Sequence, residues 1–187
     1  MDQGDVTLLL HDLRDGRRDA FDRLVPLVYD ELRRLARTQL RRSPPGLTLD
    51  TVGLVHELYL KMAGQQGLDV KDRQHFLAVS VRAMRQVLVD FARARLAVKR
   101  GGGAQAVTLE EGSASVDAEA ERVCDIDRVV EALRAHNERM ARIVECRYFA
   151  GLSEQETADA LGISLRTAQR EWMRARAWLR DALGDGG

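Results

Sequence analysis

The sequence predicts an all-α protein of two small helical domains. Three observations predict it. Apolar residues recur at three- and four-residue spacing through several stretches long enough to be helices. Prolines number only three and aromatics make up 5%, while 45% of the chain is hydrophobic, enough for real cores. A stretch rich in Gly, Ala, Ser and acids, residues 101–125, lacks strong periodicity and interrupts the pattern, and 187 residues allow one or two domains. The expected organisation is therefore an N-terminal helical bundle over 1–100, a flexible acidic linker over 101–125 and a second helical domain over 126–187.

In chain order, Val6 to Leu13 reads as a short apolar helix ending near Asp15-Gly16. Asp19 is placed to cap the next helix. There Phe21, Leu24, Val25, Val28, Leu32, Leu35 and Ala36 recur at helical spacing up to about Arg42, with Arg33, Arg34, Arg37 and Arg41 opposite. The SPPG run from Ser43 to Gly46 stops this helix, since proline cannot continue it. Asp50 caps a third helix, Thr51 to about Ala63, with Val52, Val55, Leu58, Tyr59 and Met62 inward. After a polar loop, Asp72 caps a fourth helix running to about Ala97. Leu77, Val81, Met84, Leu88 and Phe91 form its buried stripe; His75, Arg82, Arg85, Gln86, Val89 and Arg93 form the opposite one, and Arg95, Lys99 and Arg100 extend the charge. The second domain begins near Ile126 with a leading helix and continues with a helix from Glu138 to Phe149, for which Asn137 is an N-cap.

Leu152 to Leu179 reads as a helix-turn-helix. Ser153 and Glu156 form an S-x-x-E capping box. Thr157, Ala158 and Leu161 give a short helix a small inner face, Gly162 supplies a left-handed stop, and Ile163 plugs between the helices. Ser164 caps a longer helix that divides at 3.6 residues per turn. Leu165, Ala168, Trp172, Ala175 and Leu179 fall on one side; Arg166, Gln169, Arg170, Met173, Ala177 and Arg180 fall on the other. Guanidinium and amide groups on an outward helix face are the chemistry that reaches phosphates and base edges in a major groove. The candidate contacts are Ser164, Arg166, Thr167, Gln169, Arg170 and Arg174.

Basic and acidic side chains number 29 each, but their distribution is uneven. Residues 1–100 carry 18 basic and 13 acidic side chains, and residues 101–125 carry one basic and six acidic. For nucleic-acid binding the local patch matters more than the total. Cys124 and Cys146 have no metal-ligand spacing and no CxxC partner, and His11, His56, His75 and His136 are scattered, so no cofactor or metal is expected. No apolar run approaches the roughly 18 residues of a membrane span, and the N-terminus lacks a signal-peptide core; a cytoplasmic protein without membrane contact is expected.

The run RYFAGLSEQETADALGISLRTAQREWMRARAWL resembles the C-terminal DNA-binding domain of bacterial sigma factors, above all the small extracytoplasmic-function (ECF) group. That resemblance implies that residues 126–187 bind the minus-thirty-five promoter element. DTVGLVHELYLKM, Asp50 to Met62, resembles the sigma segment that grips the clamp helices of core RNA polymerase, and the matching positions are Asp50, His56, Glu57 and Lys61. Gly53 and His56 stand where the family often has an acid and a glutamine. HFLAVSVRAMRQVLVDFARARLAVKR, His75 to Arg100, resembles the helix that reads and opens the minus-ten element. The resemblance implies contacts from Arg82, Arg85, Gln86, Arg93, Lys99 and Arg100, and a flipped base held by the preceding loop, Gly64 to Gln74. It implies a function in promoter recognition and melting as a dissociable polymerase subunit, with core RNA polymerase, promoter DNA and an anti-sigma factor as candidate partners. It also implies that the acidic linker threads the polymerase's basic channel. The sequence leaves open a stand-alone helix-turn-helix regulator with a helical sensing or dimerisation domain. An enzyme is not expected, since no acid–base or metal cluster is visible.

Overall fold

In a computed structural model the described residues are 3–17, 19–43, 49–63, 69–101 and 111–184. At positions 3, 99–101, 111–115 and 184 only the backbone is described. The described residues contain helices and no strand: α1 (Gln3–Arg14), α2 (Asp19–Arg42), α3 (Thr51–Ala63), α4 (Arg73–Gly101), α5 (Glu111–His136), α6 (Glu138–Val144), α7 (Glu154–Leu161) and α8 (Leu165–Gly184). A π-helical turn, Glu145–Phe149, prolongs α6.

The helix ends follow the local chemistry. Gly16 adopts φ 82° after α1, a backbone state that costs glycine little. Asp50 accepts the Gly53 N–H at 2.7 Å at the start of α3, and Asp72 accepts the His75 N–H at 2.8 Å at the start of α4. Asn137 accepts the Met140 N–H at 3.1 Å, capping α6 where the chain turns out of α5. A Cβ at Gly53 would lie 3.1 Å from Leu49 Cδ1 and 3.2 Å from the Asp50 carboxylate, so the first turn of α3 is built around its absence.

Helices α1 to α4 pack around Leu10, Leu24, Leu32, Leu54, Leu58, Phe76 and Met84, all essentially without solvent contact. The predicted stripe of α3 is rotated. Leu54 is buried, whereas Val52 is 53% exposed. Leu49, below the first turn, is one of the residues packed against this core beside Leu54. A second core joins Val130, Leu133, Met140, Val144 and Ala175, with Trp172, Trp178 and Leu179 along its edge.

Two differences from expectation concern how the halves meet. Residues 111–125, expected in the flexible linker, are helical and form the first part of α5. The reason is tertiary: Ala120 and Val123 pack on Val89, Ala92 and Leu96 of α4, and Arg95 donates to Asp117 at 3.1 Å. Residues 102–110 lie outside the described residues. The second difference is that α4 is buried on more than one side. Val89, placed on its open stripe, is buried, and Cys146, Ala150, Leu152 and Ala160 of the C-terminal half join the N-terminal core.

Candidate nucleic-acid interface

The helix-turn-helix is assembled as its sequence dictates. Ser153 Oγ accepts the Glu156 N–H at 3.2 Å while the Glu156 carboxylate accepts the Ser153 N–H at 2.7 Å, closing the capping box. These hydrogen bonds hold the Glu156 carboxyl below its ordinary value of 4.5. Gly162 ends α7 at φ 62°, ψ 38°. Ser164 accepts the Thr167 N–H at 3.2 Å, and the two hydroxyls lie 2.9 Å apart, so both candidate contacts also serve as the cap of α8. Ala158, Ala168 and Ala175 are buried, and their small side chains let α7 and α8 approach closely.

This packing leaves Arg166, Gln169, Arg170, Met173, Arg174, Arg176 and Arg180 exposed. Leu165, placed inward by its spacing, is 38% exposed; it opens the helix, where no preceding turn covers it. Glu171 is buried and receives Arg170 Nε at 3.2 Å and Arg174 Nη1 at 3.4 Å. Gln169 donates to Glu154 at 2.8 Å. The outward groups are thus preset by carboxylates that spacing alone did not reveal. Arg147 was also missed: it donates to the Leu152 carbonyl at 2.7 Å and lies 5.5 Å from the Trp172 ring, tying the turn before α7 to the inner face of α8.

The α4 set divides. Arg93 is exposed and bonds Asp127 at 3.1 Å. Arg82 and Gln86 are half-buried, and Arg82 lines a hollow with His75, Arg142, Glu145 and Leu161. Arg85, expected on an open face, is 3% exposed. It pairs with Asp127, donates to Glu131 at 2.6 Å and to Glu145 at 3.1 Å, and its guanidinium carbon lies 5.9 Å from the Phe149 ring. Glu145 is shared with Arg134 at 2.7 Å. The side chains of Lys99 and Arg100, and residues 64–68 of the loop expected to hold a flipped base, lie outside the described residues.

On α3, His56 is exposed and Glu57 half-buried with no ion pair among the described residues. Asp50 is committed to its cap, and Lys61 bonds Asp90 of α4 at 2.8 Å. Val52 and Leu60, 53% and 51% exposed, flank His56 at four-residue spacing. The outer face of α3 therefore presents two aliphatic side chains around a histidine and beside the Glu57 carboxylate.

A family model described as ECF sigma factor matches residues 3–185. The chain belongs to the ECF sigma factor family. It is 28% identical over 159 residues to the RNA polymerase sigma-E factor of Streptomyces antibioticus, covering 84% of this chain and 85% of that one. No solved structure matches it. As an ECF sigma factor it acts in transcription initiation, and the family implies core RNA polymerase and promoter DNA as its partners. No described helix is long and apolar enough to cross a membrane. Family membership also speaks in general terms against an enzyme, and displaces the stand-alone regulator that the helix-turn-helix alone left open.

Proposed function

We propose that this sigma factor docks on the clamp helices of core polymerase through the outer face of α3, reads the minus-thirty-five element through α8, and reads and opens the minus-ten element through α4. The observation that carries the reading is the outer face of α8. Two serine caps and the left-handed Gly162 fix its angle to α7, and Arg166, Gln169 and Arg170 stand clear of the core. On α3, His56 and Glu57 supply polar contacts, and the exposed Val52 and Leu60 add apolar area that a partner would cover. Asp50 and Lys61 act there by shaping and steadying the helix, through the Gly53 cap and the Asp90 bridge. Arg82, Arg85, Gln86 and Arg93, with Lys99 and Arg100, take the downstream element once α4 is uncovered.

The working units in this proposal are residues 1–100 and 126–187, joined by 101–125, and they act in the cytoplasm beside the polymerase. An anti-sigma factor is a further partner of the same surfaces. The test is reconstitution with core polymerase on a genomic promoter library. Transcripts should start downstream of one shared pair of sequence elements at fixed spacing; failure to co-elute with core removes the assignment.

A further inference from the structure

This inference rests on the assignment of α8 to the upstream promoter element, and it concerns the base that Gln169 reads there. Gln169 is exposed on the outer face of α8, with Arg166 and Arg170 as neighbours on that face. Its Nε2 donates to Glu154 Oε2 at 2.8 Å. Glu154 opens α7, and its other oxygen, Oε1, lies 4.0 Å from Arg147 Nη2. Arg147 is itself held, by the Leu152 carbonyl at 2.7 Å and over the Trp172 ring at 5.5 Å. Each oxygen of the Glu154 carboxylate thus has its own partner, one behind the helix pair and one on the outer face.

The plain account of Glu154 is an acid in the first turn of α7, where the positive end of the helix favours it, with Gln169 merely touching it. The chemistry of the pair says more. A carboxylate only accepts hydrogen bonds, whereas a carboxamide has a donating end and an accepting end. Were the Gln169 amide turned over, its carbonyl would face the Glu154 oxygen, acceptor against acceptor. The pairing therefore fixes which way round the amide sits. One N–H is committed to Glu154, and Oε1 and the second N–H remain for the groove.

We infer that Glu154 is a positioning residue for base reading: it holds the Gln169 carboxamide in the orientation that matches adenine and rejects guanine. In the major groove adenine offers the N6 amine and the N7 acceptor, whereas guanine offers two acceptors, O6 and N7. An amide with its carbonyl and one N–H free complements the adenine edge. To serve the guanine edge it would have to give both N–H groups to the base and leave Glu154 unpaired, or set its carbonyl against O6. An unheld amide presents either end and discriminates less. Holding it beforehand also removes part of the ordering cost of binding. Arg170 needs no such sense of direction, because every nitrogen of a guanidinium donates; Glu171 fixes its place and not its reading.

The test reconstitutes the chain with core polymerase on a promoter library randomised through the upstream element, comparing wild type, Q169A, E154Q, E154D and E154Q/Q169A. Wild type should favour adenine over guanine at one position by about 5- to 150-fold, the range of one bidentate contact. Q169A should lose that preference, which marks the position. E154Q keeps the size of the side chain and can still bond Gln169, but it takes either end of the amide. Its adenine preference should collapse to that of Q169A at the marked position and stay as in wild type elsewhere. E154D keeps the negative charge at the start of α7 and draws the carboxylate back by one methylene, so it should lose the preference as well. E154Q/Q169A should match Q169A, because Glu154 acts only through Gln169.

A helix-stabilising acid would behave differently: E154D would preserve its effect, and E154Q would weaken every position alike. Either Glu154 variant keeping the wild-type adenine preference overturns the inference, as does a loss spread evenly over the element or a marked position that favours guanine. Should E154Q lose its fold by circular dichroism, E154D decides alone. Failure of wild type to select any upstream sequence would overturn the assignment of α8 and this inference with it. Normal selection by wild type, unchanged in the Glu154 variants, overturns this inference and leaves that assignment standing.

Discussion

Arg85 of α4 donates to Glu145 at 3.1 Å across sixty residues of sequence, joining the melting helix to the turn that leads into the helix-turn-helix. Cys146 follows Glu145 and is buried against α4 in the same contact. Burial, reinforced by the Glu145 carboxylate, pushes its thiol up to about 12. Since the thiolate is the reactive form, Cys146 should resist iodoacetamide at pH 8 while the half-buried Cys124 is alkylated faster. D127N/E145Q should speed Cys146 alkylation, measured by peptide mass mapping. Equal rates for the two cysteines in wild type would show that the joint is not closed.

Arg170→Ala should weaken binding of the polymerase complex to the upstream element while leaving assembly with core intact. A bidentate arginine–guanine contact is worth about 1–3 kcal/mol of discrimination. The fold should survive, because Arg174 still pairs with the buried Glu171. Trp172→Ala should instead destabilise the C-terminal half by about 3 kcal/mol, the lower end for a large aromatic, since Trp172 packs on its core only in part. Promoter footprinting and thermal melting of both variants separate the two effects.

Glu57→Arg should abolish co-elution with core polymerase without changing the melting temperature. The carboxylate has no ion-pair partner among the described residues, so reversal breaks nothing inside the chain. At an interface it adds like-charge repulsion of several kcal/mol. Val52→Asp should weaken the same interaction from the exposed apolar side. A folded Glu57→Arg chain that still co-elutes with core would remove α3 from the contact.

Ser153→Ala should cost about 1 kcal/mol through loss of the cap. It should also let the Glu156 carboxyl rise part of the way toward 4.5, because the larger hold, the backbone N–H of residue 153, survives the substitution and only the hydroxyl's share is lost. In the folded chain that pKa is depressed, so its stabilising effect is complete above pH 4.5 and is lost as pH falls through the lowered value. Titration of Glu156 by carboxyl-detected NMR, with and without the substitution, reads both effects.

The helices and their ends were legible because their signals are local. Asp50, Asp72, Asn137, Ser153 and Ser164 each cap the helix they precede, and Gly16 and Gly162 take the left-handed turns. Periodicity failed where a helix has more than one covered face. A single buried stripe cannot describe α4, which lies under α1 to α3 on one side and under the C-terminal half on the other. Residues 111–125 looked irregular because the apolar partners that make them helical, Val89, Ala92 and Leu96, lie on α4. The burial of Arg85 was invisible for the same reason: its carboxylates are 42, 46 and 60 residues away. The outer face of α8 was legible, but the buried Glu171 that orients Arg170 and Arg174 sat unremarked between them.

The most direct measurement is the distance between α4 and α8, free and on the polymerase. Nitroxide labels go on A94C and R176C, both exposed positions, in a chain carrying C124S and C146A. The free chain should give one narrow, short distance. With core polymerase and promoter the separation should grow by tens of ångströms, toward the about 85 Å between the two elements. An unchanged distance on the transcribing complex would contradict the account, because α4 and α8 would then be working on DNA while still packed together.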